Sequence, residues 1–537
     1  MPLLSLFLWL PIAGALVLAF FPRAAYGAIK GFGLAVSLIT FVISLGVLRG
    51  WDDGQAGFQF VESVEWIPQW GIRYSLGIDG ITLWLVLLTT FLTPIILLSA
   101  WKAIKKHPKE YVISFLVMET AMIGAFLATD LLLFYIFFEL MLLPMYLVIG
   151  VWGGANRIYA AIKFFLFTIA GSLLMLLGII YLAFQNYHQN NLIPTFSIAE
   201  LYGTSLTPTA QLLLFLAFSL AFAIKVPLFP LHTWLPDAHV EAPTGGSIIL
   251  AGVMLKMGTY GFLRFVLPFF PEMSMKWANV MIALSVIGII YGALVAWVQP
   301  DMKKLVAYSS VSHLGFCVLG IFAMTRASIE GSILQMVNHG LSTGALFLLV
   351  GVVYERRHTR LLADYGGIAR TMPVFATFFM IAALSSVGLP GLNGFVGEFL
   401  ILAGSFETHP VAATIAASGV ILAAIYLLWL VQKVFFGPIT NEENRNIPDM
   451  AWHEVTAMVP LVILMVWIGV YPNTFLKKME PSVSHLVRTM QGERVNEPML
   501  AGVARSQLPV ASAASSRPDT PGNRQLATAN QSSGGAQ

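Results

Sequence analysis

The chain has 537 residues, of which 57% are hydrophobic and only 11% charged, with a mean hydropathy of +0.79. A water-soluble domain carries about 25% charged residues, so this composition excludes an ordinary cytosolic enzyme and points to a polytopic membrane protein. A net charge of +3 is too balanced for a nucleic-acid binder, and a single cysteine, Cys317, excludes a disulfide framework, a cysteine-ligated zinc site and an iron–sulfur cluster held by this chain alone.

The first apolar run, residues 2–21, has no basic residue before it and no cleavage site after a short core. It reads as a first span and not as a signal peptide. A second run covers 28–47. Residues 51–77 mix Trp51, Trp66 and Trp70 with charges, as interfacial loops do. Apolar runs then recur at 79–100, 111–129, 131–151, 160–184, 209–231, 245–268, 277–298, 304–323, 331–353, 373–405, 411–436 and 454–474. The expectation is an all-α polytopic protein of about fourteen transmembrane helices, each near the ~20 residues that cross the hydrocarbon core. From about residue 501 the chain turns to Ser, Ala, Pro, Gln and Gly, a composition that predicts disorder.

Loop charge gives an orientation. Loops after odd-numbered spans carry Lys102, Lys105, Lys106, Lys109, Arg157, Lys303, Lys304, Arg356, Arg357, Arg360 and Arg445. The opposite loops carry chiefly Arg73, Arg264, Lys276 and Arg326. The positive-inside rule makes the first set cytoplasmic and both termini periplasmic, in a bacterial inner membrane.

Ionisable residues sit where apolar ones are expected: Glu139, Lys225, Lys256, His313 and Glu398 near the middle of their spans, with His339 a further candidate. Each costs about 2.5–3.5 kcal/mol at mid-span. A single buried Lys or Glu can be a structural ion pair, and a lone His a satisfied core residue. Acids, lysines and histidines distributed over successive spans favour a relay of proton sites, because opposite charges and desolvation let each group gain and lose its proton. Lys433 lies late in its span, where snorkelling to the interface explains it.

Helix breakers stand beside these charges. Pro227, Pro230 and Pro236 follow Lys225, and Gly388, Pro390, Gly391 and Gly394 precede Glu398. Irregular backbone at membrane depth survives only where protein buries it or a cavity is lined by it. Interrupted seventh and twelfth spans predict two inverted five-helix repeats. These are spans 4–8 (residues 111–268) and spans 9–13 (269–437), preceded by 1–110 and followed by a loop and span at 438–480 and a polar tail at 481–537. There is no Walker loop and no GxGxxG opening a soluble βαβ unit. His232, Asp237, His239 and Glu241 in HTWLPDAHVE make only a weak metal motif on a proline-broken segment.

Four stretches carry a family resemblance: FLATDLLLFYIFFELMLLPMYLVIGVWGG, FAIKVPLFPLHTWLPDAHVEAPTGGSIILAGVMLKMGTYGFLRF, DMKKLVAYSSVSHLGF and GLPGLNGFVGEFLIL. Together they resemble the antiporter-like membrane subunits of respiratory complex I, the proton-translocating NADH:quinone oxidoreductase, from about Asp79 to Phe436. Glu398 in GFVGEF matches the M-type branch (chain 4 in mitochondria), where the L and N types carry Lys. No lateral helix follows the last span, as the L type would have. The resemblance implies a Glu139–Lys225 ion pair, a central Lys256, and His313 and His339 leading to a terminal Glu398. His232 and His239 would line a cytoplasmic input, with Glu119, Asp130 and Lys433 as auxiliaries. It implies no cofactor on this chain, with NADH, FMN, iron–sulfur clusters and a quinone on other subunits. The implied partners are the L and N types, a lateral helix and the lipid bilayer, with no nucleic acid. Alternatives of the same make-up are a subunit of a multisubunit Mrp-type cation/proton antiporter and the ferredoxin-fed photosynthetic counterpart.

Overall fold

The computed structural model describes residues 2–190 and 192–491, so the tail expected to be disordered from about 501 lies outside the described residues. The chain opens with helices α1 (Leu3–Ala19) and α2 (Tyr26–Ser44). Residues 51–77, expected as an interfacial loop, instead form most of an antiparallel hairpin of β1 (Gln59–Ile67) and β2 (Ile72–Ile78). That hairpin is the departure from an all-α fold among the described residues. It is followed by α3 (Leu83–Ser99), α4 (Pro108–Leu127), α5 (Leu131–Leu140), α6 (Leu142–Trp152), α7 (Arg157–Gln189), the single turn α8 (Ile198–Leu201) and α9 (Pro208–Lys225). Beyond a break come α10 (Trp234–Glu241), α11 (Thr244–Ile249), α12 (Lys256–Gly261) and α13 (Leu267–Phe269), the last three joined by π-helical turns at 250–254 and 262–266. The remaining helices are α14 (Pro271–Trp297), α15 (Met302–Ala323), α16 (Arg326–Arg357), α17 (Pro373–Val387), α18 (Asn393–Thr408), α19 (Pro410–Phe435), α20 (Trp452–Val470) and α21 (Asn473–Met490).

Among the described residues, eleven helices are long and apolar enough to cross a membrane, and Leu3–Ala19, Leu83–Ser99 and Pro373–Val387 are shorter apolar helices. The twelfth expected span fails that length test because it is cut in two. Gly388 (φ +86°) and Gly391 (φ +92°) adopt left-handed backbone around Pro390, a conformation glycine takes without a Cβ penalty. The seventh span is cut after Lys225, where Pro227 and Pro230 have no N–H to continue the ladder. In the fifth span Pro144 lacks a donor and loosens the ladder between α5 and α6 beside Glu139, but Met141 keeps helical backbone and the two run on as one span. Helix continues to Met490, through the start of the segment expected as a polar tail.

The core is organised around α16, whose membrane window is entirely buried. It packs against α15, α18, α17 and α11. Asp130 is the N-cap of α5, where its Oδ1 accepts from the Leu132 and Leu133 N–H at 3.0 Å and its Oδ2 from the Arg73 N–H at 3.1 Å. Its role is thus to start a helix and bind it to the hairpin. Burial pushes its carboxyl up to about 6 despite these three donors.

Arg264, read from the sequence as a loop residue on the face opposite the basic loops, is a correction: it is fully buried in the second π-helical turn. Its guanidinium pairs with buried Asp79 at 2.5 Å, and its carbonyl accepts from the Tyr202 hydroxyl at 2.8 Å. Asp79 also accepts from the Ile81 and Thr82 N–H groups that begin the turn into α3. The pair therefore fastens the end of the Lys256 helix to the start of α3. Breaking one partner of a buried pair costs about 3–5 kcal/mol. Arg264→Met is expected to destabilise the protein by about that amount, and adding Asp79→Asn to recover part of it. Thermal denaturation in detergent checks both, and an unchanged midpoint in Arg264→Met would remove the pair from this role.

Candidate proton-transfer site

Four of the expected residues, Lys256, His339, His313 and Glu398, come together in the bundle. Lys256 lies between the two π-helical turns, which widen the helix and turn carbonyls out of the regular ladder, a feature frequent at functional sites. Its ammonium hydrogen-bonds the Ala251 carbonyl and lies 2.6 Å from His339 Nδ1 on α16. With the ammonium as donor, Nδ1 accepts and the imidazole proton sits on Nε2, which has no partner. The His339 and His313 ring centroids are 6.1 Å apart. His313 on α15 contacts Glu398 Oε1 on α18 through Nδ1 at 2.7 Å. The spatial order is Lys256, His339, His313, Glu398, with His339 first among the histidines, and all four side chains are buried.

Two residues complete this file that the sequence does not single out. The Gln335 Nε2–H donates to Glu398 Oε1 at 2.9 Å, so one carboxylate oxygen has two partners while Oε2 has none. The Tyr426 hydroxyl lies 3.3 Å from His313 Nε2. The broken helix is held in register by Asn338 and Asn393. The Asn338 amide donates to the Asn393 carbonyl at 2.7 Å, and the Asn393 amide returns a bond to the Asn338 carbonyl at 3.3 Å. For Gln335 a signal exists: Ser328, Ser332, Gln335, His339 and Ser342 recur at helical spacing, a polar stripe along an apolar span.

The first half is looser. Lys225 is buried at the last residue of α9, and its Nζ has no hydrogen-bond partner. It lies 4.9 Å from the centre of the Phe138 ring and 5.9 Å from that of Phe164, contacts that stabilise an ammonium only weakly beside an ion pair. The expected Glu139–Lys225 ion pair is not a direct contact: Glu139 Oε1 is also unpartnered. The reason is angular. Successive residues of a helix point about 100° apart, and Phe138, not Glu139, faces Lys225. Glu139 is half-buried, with part of its side chain at the surface of the chain. No hydrogen bond links Lys225 to Lys256, although Gly258 brings their helices together, since a Cβ there would lie 2.7 Å from the Phe222 carbonyl oxygen.

On the side of the basic loops a cavity of about 360 Å³ is lined by Lys102, Lys105, Glu241, Lys303, Glu355 and Arg360 among others. His239, two residues from Glu241, is fully buried with neither ring nitrogen partnered. It stacks on Phe347 of α16 with centroids 4.7 Å apart. Phe347 lies two helical turns from His339. His232 sits apart, with its ring centroid 5.0 Å from that of Tyr291 and 5.7 Å from that of Phe229. Asp237 pairs with Lys163 at 2.6 Å and pins α10 to α7. Glu119 is buried on α4 with neither oxygen partnered. Lys433 is exposed near the end of α19, outside the buried file.

Interrupted spans around a buried file of Lys, His and Glu are the architecture of an antiporter-like membrane subunit. The family model described as NADH:quinone oxidoreductase/Mrp antiporter, transmembrane, matches residues 128–425, and that for the amino terminus of NADH-ubiquinone oxidoreductase chain 4 matches 57–129. The chain belongs to this family. It is 48% identical over 501 residues to NADH-quinone oxidoreductase subunit M of Rhodobacter capsulatus, covering 91% of this chain and 97% of that one. It is 47% identical over 479 residues to NADH-ubiquinone oxidoreductase chain 4 of Arabidopsis thaliana, covering 89% and 95%. Among solved structures it is similar to a chain of respiratory complex I from Thermus thermophilus, with TM-score 0.82, 32% identity and coverage of 91% and 99%. It also shares its fold with a chain of the Mrp complex from Dietzia sp. DQ12-45-1b, with TM-score 0.79, 21% identity and coverage of 91% and 98%.

The Gln335 contact gives a direct test of the file. A hydrogen bond to a charged group is worth about 1.5–3 kcal/mol. Gln335→Leu is therefore expected to slow coupled turnover in membrane vesicles about 10-fold or more, with assembly retained. Wild-type turnover in that variant would take Gln335 out of the site.

Proposed function

We propose that this chain is the M-type proton-translocating subunit of an NADH:quinone oxidoreductase in a bacterial inner membrane, with both termini periplasmic. The observation that carries the reading is the hydrogen-bonded contact of Lys256 with His339 and of His313 with Glu398, 2.6 and 2.7 Å long, inside the bundle. The relatives named subunit M and chain 4 support it along most of their length. The Mrp relative is under a quarter identical and supports the fold alone.

In this reading protons enter from the cavity ringed by Glu241, Lys303 and Glu355 and pass His239 toward Lys256. Lys256 hands a proton to His339. The interval to His313 is one that a water or a ring rotation bridges. His313 passes it to Glu398, whose free Oε2 is the point of release. Lys225 and Glu139 are the control element. Without a hydrogen-bond partner, Lys225 Nζ lies over the Phe138 and Phe164 rings. A partner that moves Glu139 toward or away from it sets its charge and the field felt at Lys256. The driving energy is supplied by quinone reduction on other subunits, since translocation of one charge against 100 mV takes about 2.3 kcal/mol.

Pumping measured with a pH-sensitive dye in inverted vesicles tests the relay. Lys225→Ala, Glu139→Ala and Glu398→Gln should each reduce it severely, while Glu398→Asp retains part. A fully assembled Glu398→Gln complex that pumps normally would make Glu398 structural. A second measurement separates the relay from electron input. NADH oxidation by a hydrophilic acceptor that bypasses quinone should survive all of these substitutions, and its loss in an assembled complex would contradict the assignment.

A further inference from the structure

A second cavity, of about 410 Å³, lies on the hairpin side of the bundle and is unrelated to the proton file. Its walls are side chains at helical spacing on three elements: Leu45 and Leu48 of the turn following α2, Leu87 and Phe91 of α3, and Leu464 and Ile468 of α20. The volume falls in the range of ligand sites, roughly 300–1,000 Å³. Its inner end is formed by Val337 and Leu341, which flank His339 on the back of α16. Its outer end is formed by Thr474 and Lys478 of α21.

The outer end has the features of a headgroup region. Helix α21 packs Phe475, Met479, Val483 and Leu486 into the bundle, and Lys478 beside Phe475 brings a charge to the rim of the cavity. Lys477 and Lys478 both reach Asp53, at 2.9 and 3.1 Å. Two ammonium groups on one carboxylate leave a net positive charge at the mouth. From Pro460 to Ile468 the α20 wall rises about 12 Å, so with the turn to Lys478 the cleft spans about one leaflet, half of the ~30 Å hydrocarbon core. An apolar slot of that depth with a cationic rim matches one acyl chain and an anionic headgroup, whereas a transmembrane helix would need a groove crossing both leaflets.

We propose that this cleft holds an acyl chain of an anionic phospholipid from the hairpin-side leaflet, with its phosphate beside Lys478 and Lys477. The acyl group fills the apolar space behind α16 and keeps water from the rear of the helix that carries His339. The proposal rests on the membrane-spanning fold and stands whether or not the relay reading does.

The test uses the assembled complex in native membranes and a phosphatidylglycerol bearing a diazirine midway along one acyl tail, with the phosphatidylcholine analogue for comparison. Adducts located by mass spectrometry are expected on the α3 and α20 walls, several-fold above those on the outward-facing positions Val411 and Ile421 of α19. Leu464→Trp should abolish the excess by filling the slot. Lys477→Ala with Lys478→Ala should bring phosphatidylglycerol labelling down to that of phosphatidylcholine while the complex stays assembled and the apolar walls stay in place. Adduct density equal to that on α19 in the wild type would overturn the proposal. So would labelling by both lipids that ignores the lysine substitutions, or, with a photoreactive amino acid placed at Leu464, crosslinks to a neighbouring subunit in place of lipid.

Discussion

A charged side chain in hydrocarbon must share its charge with a partner or give up its proton, and this constraint governs the bundle. Lys256, His339, His313 and Glu398 are each buried, and each contacts the next group or lies one short interval from it. In a low-dielectric site, neighbouring ionisable groups feel small changes of field strongly. A static ion pair solves the same problem differently. Arg264 and Asp79 do so, with a guanidinium that never deprotonates facing a carboxylate fixed by its own turn. The molecule thus contains both solutions, and the chemistry of the cation decides which is which.

The irregular backbone follows from the same need. Side chains meeting at mid-membrane must come from helices that interrupt their own ladders. The π-helical turns around Lys256 free a carbonyl for its ammonium. The break at Gly388–Gly391 lets α18 start close enough to α16 for the reciprocal Asn338–Asn393 bonds, which set where Glu398 stands. The two cuts are not equivalent: Lys225 ends the helix before its break, whereas Glu398 lies six residues into the helix after its own.

Much of this is legible in the sequence. Hydrophobic runs mark the spans, proline and glycine clusters mark both cuts, and isolated ionisable residues within apolar runs mark the file, because each signal is local. What depends on rotation about a helix axis is not legible. Phe138 facing Lys225 in place of Glu139 is a difference of one residue in angle, and no hydropathy pattern resolves it. Arg264 reads as a loop residue because it stands near a span end, and only the approach of Asp79, 185 positions away, brings it inside. The π-helical turns leave no compositional mark, and residues 59–78 alternate too weakly beside their charges to be separated from a loop. Gln335 stands in a polar stripe, whereas Tyr426 looks like an ordinary span residue until the partner helices are in place.

The central claim is that Glu398 changes protonation during turnover. Infrared difference spectroscopy of the assembled complex, with quinone reduction triggered by NADH, reads this directly in the carboxyl stretching region. The account predicts a carboxyl band that changes with turnover, shifts in deuterated water, and is missing from the Glu398→Gln complex. Identical difference bands in the wild type and the Glu398→Gln complex would contradict it.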